Sequence, residues 1–441
     1  MSNDLASQER VVGVEMEYCP TLTLADPNAF PHDPQYALIG AIHEIIHNRF
    51  TTIEHGFLEN GFRVYRDGEL LEVATPESHV GEIGVIQLAS EQMVIDALGM
   101  YLQHHKKYFR PSKYDGYILP LRVSDGSLPS GYQENYQVLA GDTHRILPFL
   151  ESHALARTAW TGQGEYDPIS DSFAIAQKSS TKSRGTPEAI QVKGTEGNLR
   201  YEFRRANYPT LHWQLKHRVA FTSGVVRLAE LGFIDSDFVF LANGVWLRKE
   251  ASQSPYLSFK LRNGSEMSII EYELELASIL ATVGAKYSFP DNEVIAAEEV
   301  YRVGEKINAR EIEAVCKEVP WAMKQVVMAR QVPEFIDDAY DCNSKERVKL
   351  RTACVALDSR GGAGLVDKMR ASQAYPEFDE KLVMRAVDEP PCTEVAKQRA
   401  AAIRSTRYKV LPEGFFYSVD WMQSQLEIHA YAGPPELSLE A

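Results

Sequence analysis

Two short stretches of the chain concentrate carboxylates at the spacing of a β-strand. In Gly13-Val14-Glu15-Met16-Glu17-Tyr18, Glu15 and Glu17 stand two residues apart, and between Gly61 and Glu77 the same interval separates Arg63, Tyr65 and Asp67, with Glu72, Thr75 and Glu77 following. Residues two apart on a strand share a face, so each set projects together. Convergent hard oxygens suit magnesium, which keeps part of its shell for water and substrate phosphates. Arg63 adds paired donors for a phosphate. Alternating charge also marks the ordinary solvent face of an antiparallel sheet, so spacing by itself leaves both readings open.

A second pattern belongs to a different enzyme class. His43-Glu44-Ile45-Ile46-His47 satisfies H-E-x-x-H on an expected helix, where two histidines one turn apart hold zinc and Glu44 acts as base. No G-x-x-H extension follows, and His55, Glu54 and Glu59 are only loose candidates for a third ligand. Ile42, Ile45 and Ile46 meanwhile read as the buried stripe of a core helix. His104-His105-Lys106-Lys107 fits the positive end of a helix better than a site.

These groups need a scaffold. Val11–Tyr18 reads as a strand closed at Cys19-Pro20, and Tyr36–Phe50 as a helix with Leu38, Ile42, Ile45 and Ile46 on one side. Gly61–Leu71 returns to strand composition, with Phe62, Val64 and Leu70 as inward positions. Glu82–His105 reads as a long helix, and Tyr117–Val123 and Tyr132–Leu139 as strands. Ser179–Gly197, polar and lacking apolar periodicity, reads as a loop. Leu211–Leu231, Glu266–Val283 and Ala296–Val332 carry helical patterns. The polar stretch near Asp341–Glu346 suggests a boundary, dividing the chain into a catalytic domain over 1–343 and a small C-terminal domain over 344–441.

The bulk numbers exclude several classes. With 441 residues, 44% of them hydrophobic, the chain can bury a large core. A formal charge of -15 argues against a broad surface for the phosphate backbone of nucleic acid. Five cysteines, Cys19, Cys316, Cys342, Cys354 and Cys392, show no CxxC spacing and are odd in number, which fits reduced thiols in the cytoplasm. No apolar run is long enough to cross a bilayer.

The chain also resembles a known family. Gly13–Tyr18 is similar to the opening G-I-E-T-E-[YF] of the ligases that attach prokaryotic ubiquitin-like protein (Pup) and of the related Pup deamidases, and Asn60–Glu77 resembles their N-G-x-R-x-Y-x-D…E-x-x-T-P-E. Gly131-Tyr132-Gln133-Glu134-Asn135-Tyr136 is similar to G-C-H-E-N-Y, Leu147–Leu150 to L-P-F-L, and Ser180–Arg184 to T-T-R-S-R. Arg385-Ala386-Val387 with Pro390, Pro391 and Thr393 resembles R-A-V-x-x-P-P-x-x-T, and Trp421 falls where the family keeps a late tryptophan. The matches are collinear over nearly the whole chain.

The resemblance implies an α+β, glutamine-synthetase-like fold: a curved, largely antiparallel sheet cupped by helices, with a small C-terminal domain. It implies an ATP- and Mg2+-dependent carboxylate-amine ligase, joining a donor with a terminal glutamate to an amine. Metal would rest on Glu15, Tyr65 and Glu72, with Glu17 and Glu134 beside them. Arg63, Thr75 and Trp421 would contact nucleotide, and Asp67 would be the base. Apart from the resemblance, Arg204 and Arg205 follow the polar loop, where they could reach a phosphate or a substrate carboxylate or equally form a strand-edge salt bridge. Glu77 and Asn135 would be supporting groups. The chain departs from the family where histidines of its motifs give way to Leu70, Gln133 and Glu202. The short span from Tyr18 to Asn60 lacks the insertion of the deamidases, which favours ligation over hydrolysis by the same Asp67. Zinc peptidase chemistry and a non-catalytic nucleotide-binding relative are the remaining alternatives.

Overall fold

The structure is a computed structural model that describes residues 3–22, 34–50, 52, 56–68, 70–104, 116–119, 131–167, 172–176, 189–194, 199–206, 208–234, 236–241, 251–331, 366, 370 and 378–406. After the short helix α1 (Asn3–Ser7), strand β1 (Val11–Leu22) runs through Pro20 instead of stopping there. Helix α2 (Pro34–Arg49) follows. The region from Gly61 to Leu71, expected as one strand, is the first part of a hairpin of β2 (Arg63–Asp67) and β3 (Leu70–Ala74). Gly68, at φ +58, occupies the turn, a backbone region that costs glycine little. Then come β4 (Ser78–His79), α3 (Ile83–His104), β5 (Gly116–Leu119) and β6 (Tyr132–Gln137).

Helices α4 (Thr143–Ala156) and α5 (Thr158–Thr161) precede the small pair β7 (Glu165–Asp167) and β8 (Ser172–Ala174). Within the stretch expected as a loop, Ile190–Lys193 forms strand β9, which pairs with β10 (Arg200–Ala206). Its polar alternation, Gln191 and Lys193 against Ile190 and Val192, is a period of two too short to stand out. Helix α6 (His212–Glu230) leads to the pair β11 (Ser258–Lys260) and β12 (Glu266–Ser268), and α7 (Ile269–Tyr287) starts on a capping box of Ser268 and Glu271. The expected helix Ala296–Val332 is divided into α8 (Asp291–Asn308), a 3-10 turn at Ile312–Val315 and α9 (Pro320–Gln331). Arg310 at φ +62 breaks the first segment, and Pro320 can open a helix but not continue one. Beyond the boundary expected near 344, α10 (Glu380–Asp388) and α11 (Glu394–Thr406) are described.

The main sheet is open and antiparallel, in the order β2-β3-β1-β6-β10-β9, with β4 and β5 also pairing with β1. Alternation gives it two unlike faces. Val12, Val14, Met16 and Tyr18 of β1, Val64, Leu71 and Val73 of the hairpin, Tyr132 and Tyr136 of β6 and Tyr201 and Phe203 of β10 enter one core with α2, α3, α4, α6 and α7. Each buried Val, Leu or Met side chain contributes ~1.5–3 kcal/mol, which holds strands from distant parts of the chain in one register. Among the described residues no helix is long and apolar enough to cross a membrane.

Candidate active site

The opposite face of the sheet carries the chemistry. On β1, Glu15 lies across from Ala74 and Glu17 from Glu72; on β2, Arg63 faces Ala74, Tyr65 faces Glu72 and Asp67 faces Leu70. Directly opposed residues share a face, so Arg63, Tyr65, Asp67, Glu72, Glu15 and Glu17 all project to the same side. On the other flank of β1, Gly13 faces Asn135 and Glu15 faces Gln133; beyond them Asn135 faces Glu202, and Glu202 faces Gln191. The three positions where histidines of the family motifs are replaced, Leu70, Gln133 and Glu202, therefore all lie on this face.

One oxygen each from Glu17, Asp67 and Glu72 lies within 4.8 Å of the other two. Burial raises the Glu72 carboxyl above the usual range, and Glu15, Glu17 and Asp67 raise it further, against a hydrogen bond from Tyr65. Glu15 is raised too, by burial and by Glu202, against a hydrogen bond with Glu72 and the charges of Arg200 and Arg63. Burial and the same two glutamates keep the Tyr65 phenol protonated. Negative charge is thus crowded beyond what the nearby arginines offset, and every donor is a hard oxygen. That is the donor set a magnesium ion fits, and a divalent cation would relieve the repulsion that pushes both glutamates up. Glu17 is further held by the backbone N–H of Gly131, where a β-carbon would run into its carboxylate.

Arg63 stacks its guanidinium 4.6 Å from the centre of the Tyr65 ring and 5.3 Å from that of Phe57. Thr75 is fully buried, and its hydroxyl accepts the Val14 N–H at 3.0 Å just past the end of β3. Arg204 pairs with Glu202 at 2.9 Å and donates to Gln191 at 3.1 Å on the far flank. Arg205 belongs to β10, but its side chain, like Trp421 and Ser180–Arg184, lies outside the described residues.

Glu134, expected beside the metal, is not brought to this face. It sits opposite Val14, fully buried, with Arg157 and Arg218 each 2.6 Å from its carboxylate and the Tyr136 hydroxyl donating at 2.6 Å. Burial alone would raise its carboxyl, but the two guanidinium groups and these hydrogen bonds outweigh it and bring it down to about 2. Its parity along β6 settles the matter, because Gln133 and Asn135 take the polar side. Glu77 is held in a buried pair: its carboxylate meets Arg399 of α11, both side chains at most 2% exposed, and its carbonyl accepts the Thr393 hydroxyl at 2.6 Å. Asn60 donates to the Val387 carbonyl at 2.6 Å. The R-A-V…P-P…T segment and α11 thus brace the Asn60–Glu77 motif. Nothing in the spacing of Arg157, Arg218 or Arg399 points to these contacts, which join residues 23 to 322 positions apart.

The rival histidines do not converge on an ion. His43 and His47 stack with ring centres 4.1 Å apart, and His47 Nε2 lies 3.1 Å from the Val64 carbonyl. Burial, the neighbouring His47 and Arg66 bring His43 down to about 4. Among the described residues no group of metal-ligating side chains includes either.

The open antiparallel sheet, with a helical core on one face and convergent carboxylates on the other, has the glutamine-synthetase-like fold expected from the sequence. Within that class the chain is similar over almost its full length to solved Pup ligases. It matches the ligase PafA in complex with Pup at a TM-score of 0.74 and 18% identity, over 95% of this chain and 87% of that one. PafA in complex with ADP matches at 0.66 and 18%, over 88% and 87%. In sequence, the Pup–protein ligase of Acidimicrobium ferrooxidans is 24% identical over 404 residues, 85% of this chain and 84% of that protein. No family model matches the chain. These similarities show that the chain shares its fold with the Pup ligases.

Proposed function

We propose that the protein is an ATP- and magnesium-dependent carboxylate-amine ligase that activates a glutamate-type carboxylate and joins it to an amine. The observation that carries this reading is the single polar face on which Glu15, Glu17, Tyr65, Asp67 and Glu72 converge beside Arg63. Magnesium, when bound, would neutralise phosphate charge and align the transferred group. Glu72, Glu17 and Glu15 would hold it, with Tyr65 as a neutral oxygen ligand. Arg63, already fixed by its two aromatic neighbours, would bind phosphoryl oxygens.

A carboxylate is a poor electrophile, so the donor carboxylate would first attack the γ-phosphorus of ATP, breaking its bond to the bridging oxygen and releasing ADP, and become an acyl phosphate. The amine then attacks the acyl carbon and phosphate leaves. Asp67, the exposed carboxylate at the end of β2, would take a proton from the acceptor ammonium and so free the amine lone pair for that attack. The likeness to Pup ligases supports a small, Pup-like protein or peptide ending in glutamate as donor, with a lysine-type amine as acceptor. The division into a catalytic domain over 1–343 and a C-terminal domain over 344–441, and a cytoplasmic setting for the scattered thiols, belong to the same proposal.

The test is calorimetric titration with magnesium and ATP of the wild type and of Glu15→Ala and Glu72→Ala, followed by single-turnover ligation with Asp67→Asn. Binding that needs both glutamates, and turnover that needs Asp67, is the expected result. No binding to the wild type, or tight zinc that disappears in His47→Ala, would sink the reading.

A further inference from the structure

The polar face holds one buried group that this chemistry leaves unused. Asn135, on β6, is 1% exposed. Arg200 Nε donates to its Oδ1 at 2.9 Å, which sets the amide orientation and leaves Nδ2 as the donor. That nitrogen is buried and has no hydrogen-bond partner. Buried polar groups are nearly always satisfied, so an orphan of this kind calls for a ligand or a water.

Its surroundings favour an oxygen acceptor from outside the chain. Across β1 the facing residue is Gly13, which puts no side chain over the space beside Asn135. The carboxylates on the same face of the two flanking strands, Glu202 opposite Asn135 and Glu15 two residues from Gly13, are already engaged. Glu202 is paired with Arg204 at 2.9 Å and Arg200 at 3.5 Å, and Glu15 is hydrogen-bonded to Glu72. A cation has no use for an N–H donor, whereas an anionic oxygen is answered by that donor with Arg200 behind it.

We propose that the Asn135 side-chain amide donates to an anionic oxygen of the molecule bound over Gly13, and that Arg200 is the residue that positions the amide. The chemistry shared by the two sources is a phosphoryl or carboxylate oxygen, from the nucleotide or from the glutamyl donor. The identity of that molecule rests on the ligase reading above. Neither the carboxylate cluster nor the base requires this contact.

The experiment titrates magnesium-ATP, and separately a peptide ending in glutamate, into the wild type, Asn135→Asp, Asn135→Ala and Arg200→Lys. Asn135→Ala removes the donor without adding charge, and Asn135→Asp keeps the shape and the acceptor for Arg200 but sets a negative charge where the donor was. The expected effect of either is a loss of about 10-fold or more in affinity for one probe only. Loss for ATP assigns the phosphoryl oxygen, and loss for the peptide assigns the carboxylate. Arg200→Lys should weaken the same probe and add little to Asn135→Asp, the non-additivity expected of two residues acting through one bond. In the selectively labelled wild type, the Asn135 amide resonance should move with that probe, which decides the matter if a variant fails to fold. Unchanged affinity for both probes, or an amide resonance that neither moves, would overturn the proposal and leave a water as its partner. A wild type that binds no magnesium-ATP overturns the ligase reading instead; the amide resonance under peptide or inorganic phosphate then decides this one separately.

Discussion

Replacing Glu134 with glutamine separates a structural carboxylate from a catalytic one. In Glu134→Gln the shape is kept, but Arg157 and Arg218 lose the charge each approaches to 2.6 Å in the interior. The carboxyl stands at about 2 against an ordinary 4.5, a difference of about 2.5 units. At ~1.4 kcal/mol per unit this makes the ionised form worth about 3 kcal/mol to the folded state, which agrees with the ~3–5 kcal/mol lost when one partner of a buried ion pair is removed. Because the folded value is depressed, the contribution is complete above pH 4.5 and is lost as pH falls towards 2. Urea unfolding of both proteins at pH 7 should show the variant less stable by about 3 kcal/mol, and the gap should narrow by about 1.4 kcal/mol for each pH unit below 4.5. Magnesium-ATP affinity of the folded variant should match the wild type. A variant of unchanged stability that had lost metal-dependent binding would refute the reasoning and return Glu134 to the site.

Three further outcomes follow from the packing. Arg399→Met or Glu77→Gln alone should each cost ~3–5 kcal/mol in urea unfolding, while the double variant should cost much less than their sum; additive losses would mean that the pair is not coupled. Gly131→Ala drives a β-carbon into the Glu17 carboxylate and should weaken magnesium binding by roughly tenfold or more, with secondary structure by circular dichroism unchanged. His47→Ala should cost only ~1 kcal/mol, the worth of one hydrogen bond to Val64, and metal analysis should find the same zinc content as in the wild type.

What the sequence could disclose follows from how local each signal is. The hairpin Arg63–Ala74 and strand β1 announce their faces through a period of two, so the grouping of Glu15, Glu17, Tyr65, Asp67 and Glu72 was readable once the neighbouring strands were known to pair. The family resemblance misled at Glu134, because a motif match gives identity and not parity, and the register with Val14 shows that it points into the core. Asn135, Arg200 and Glu202 meet through strand order, which no local pattern encodes. The Arg399 clasp on Glu77 joins residues 322 apart and leaves no trace in either motif. The strand Ile190–Lys193 was lost in a polar stretch because four residues hold only two full periods, and α8 and α9 were merged because a left-handed arginine leaves no mark on apolar spacing.

The strict alternation of β1 has one more consequence. Val12, Val14, Met16 and Tyr18 are anchored in the core on one side, while Glu15 and Glu17 serve the other. A slip of one residue would exchange the two sets, sinking carboxylates into the apolar interior and lifting valines onto the polar face. A slip of two would keep the core apolar but bring Glu17 opposite Ala74, away from Glu72. The shape of the catalytic face is therefore copied from the fit of the hidden one, and a misregistered chain cannot pass as a folded but idle enzyme without first losing its core or its pairing.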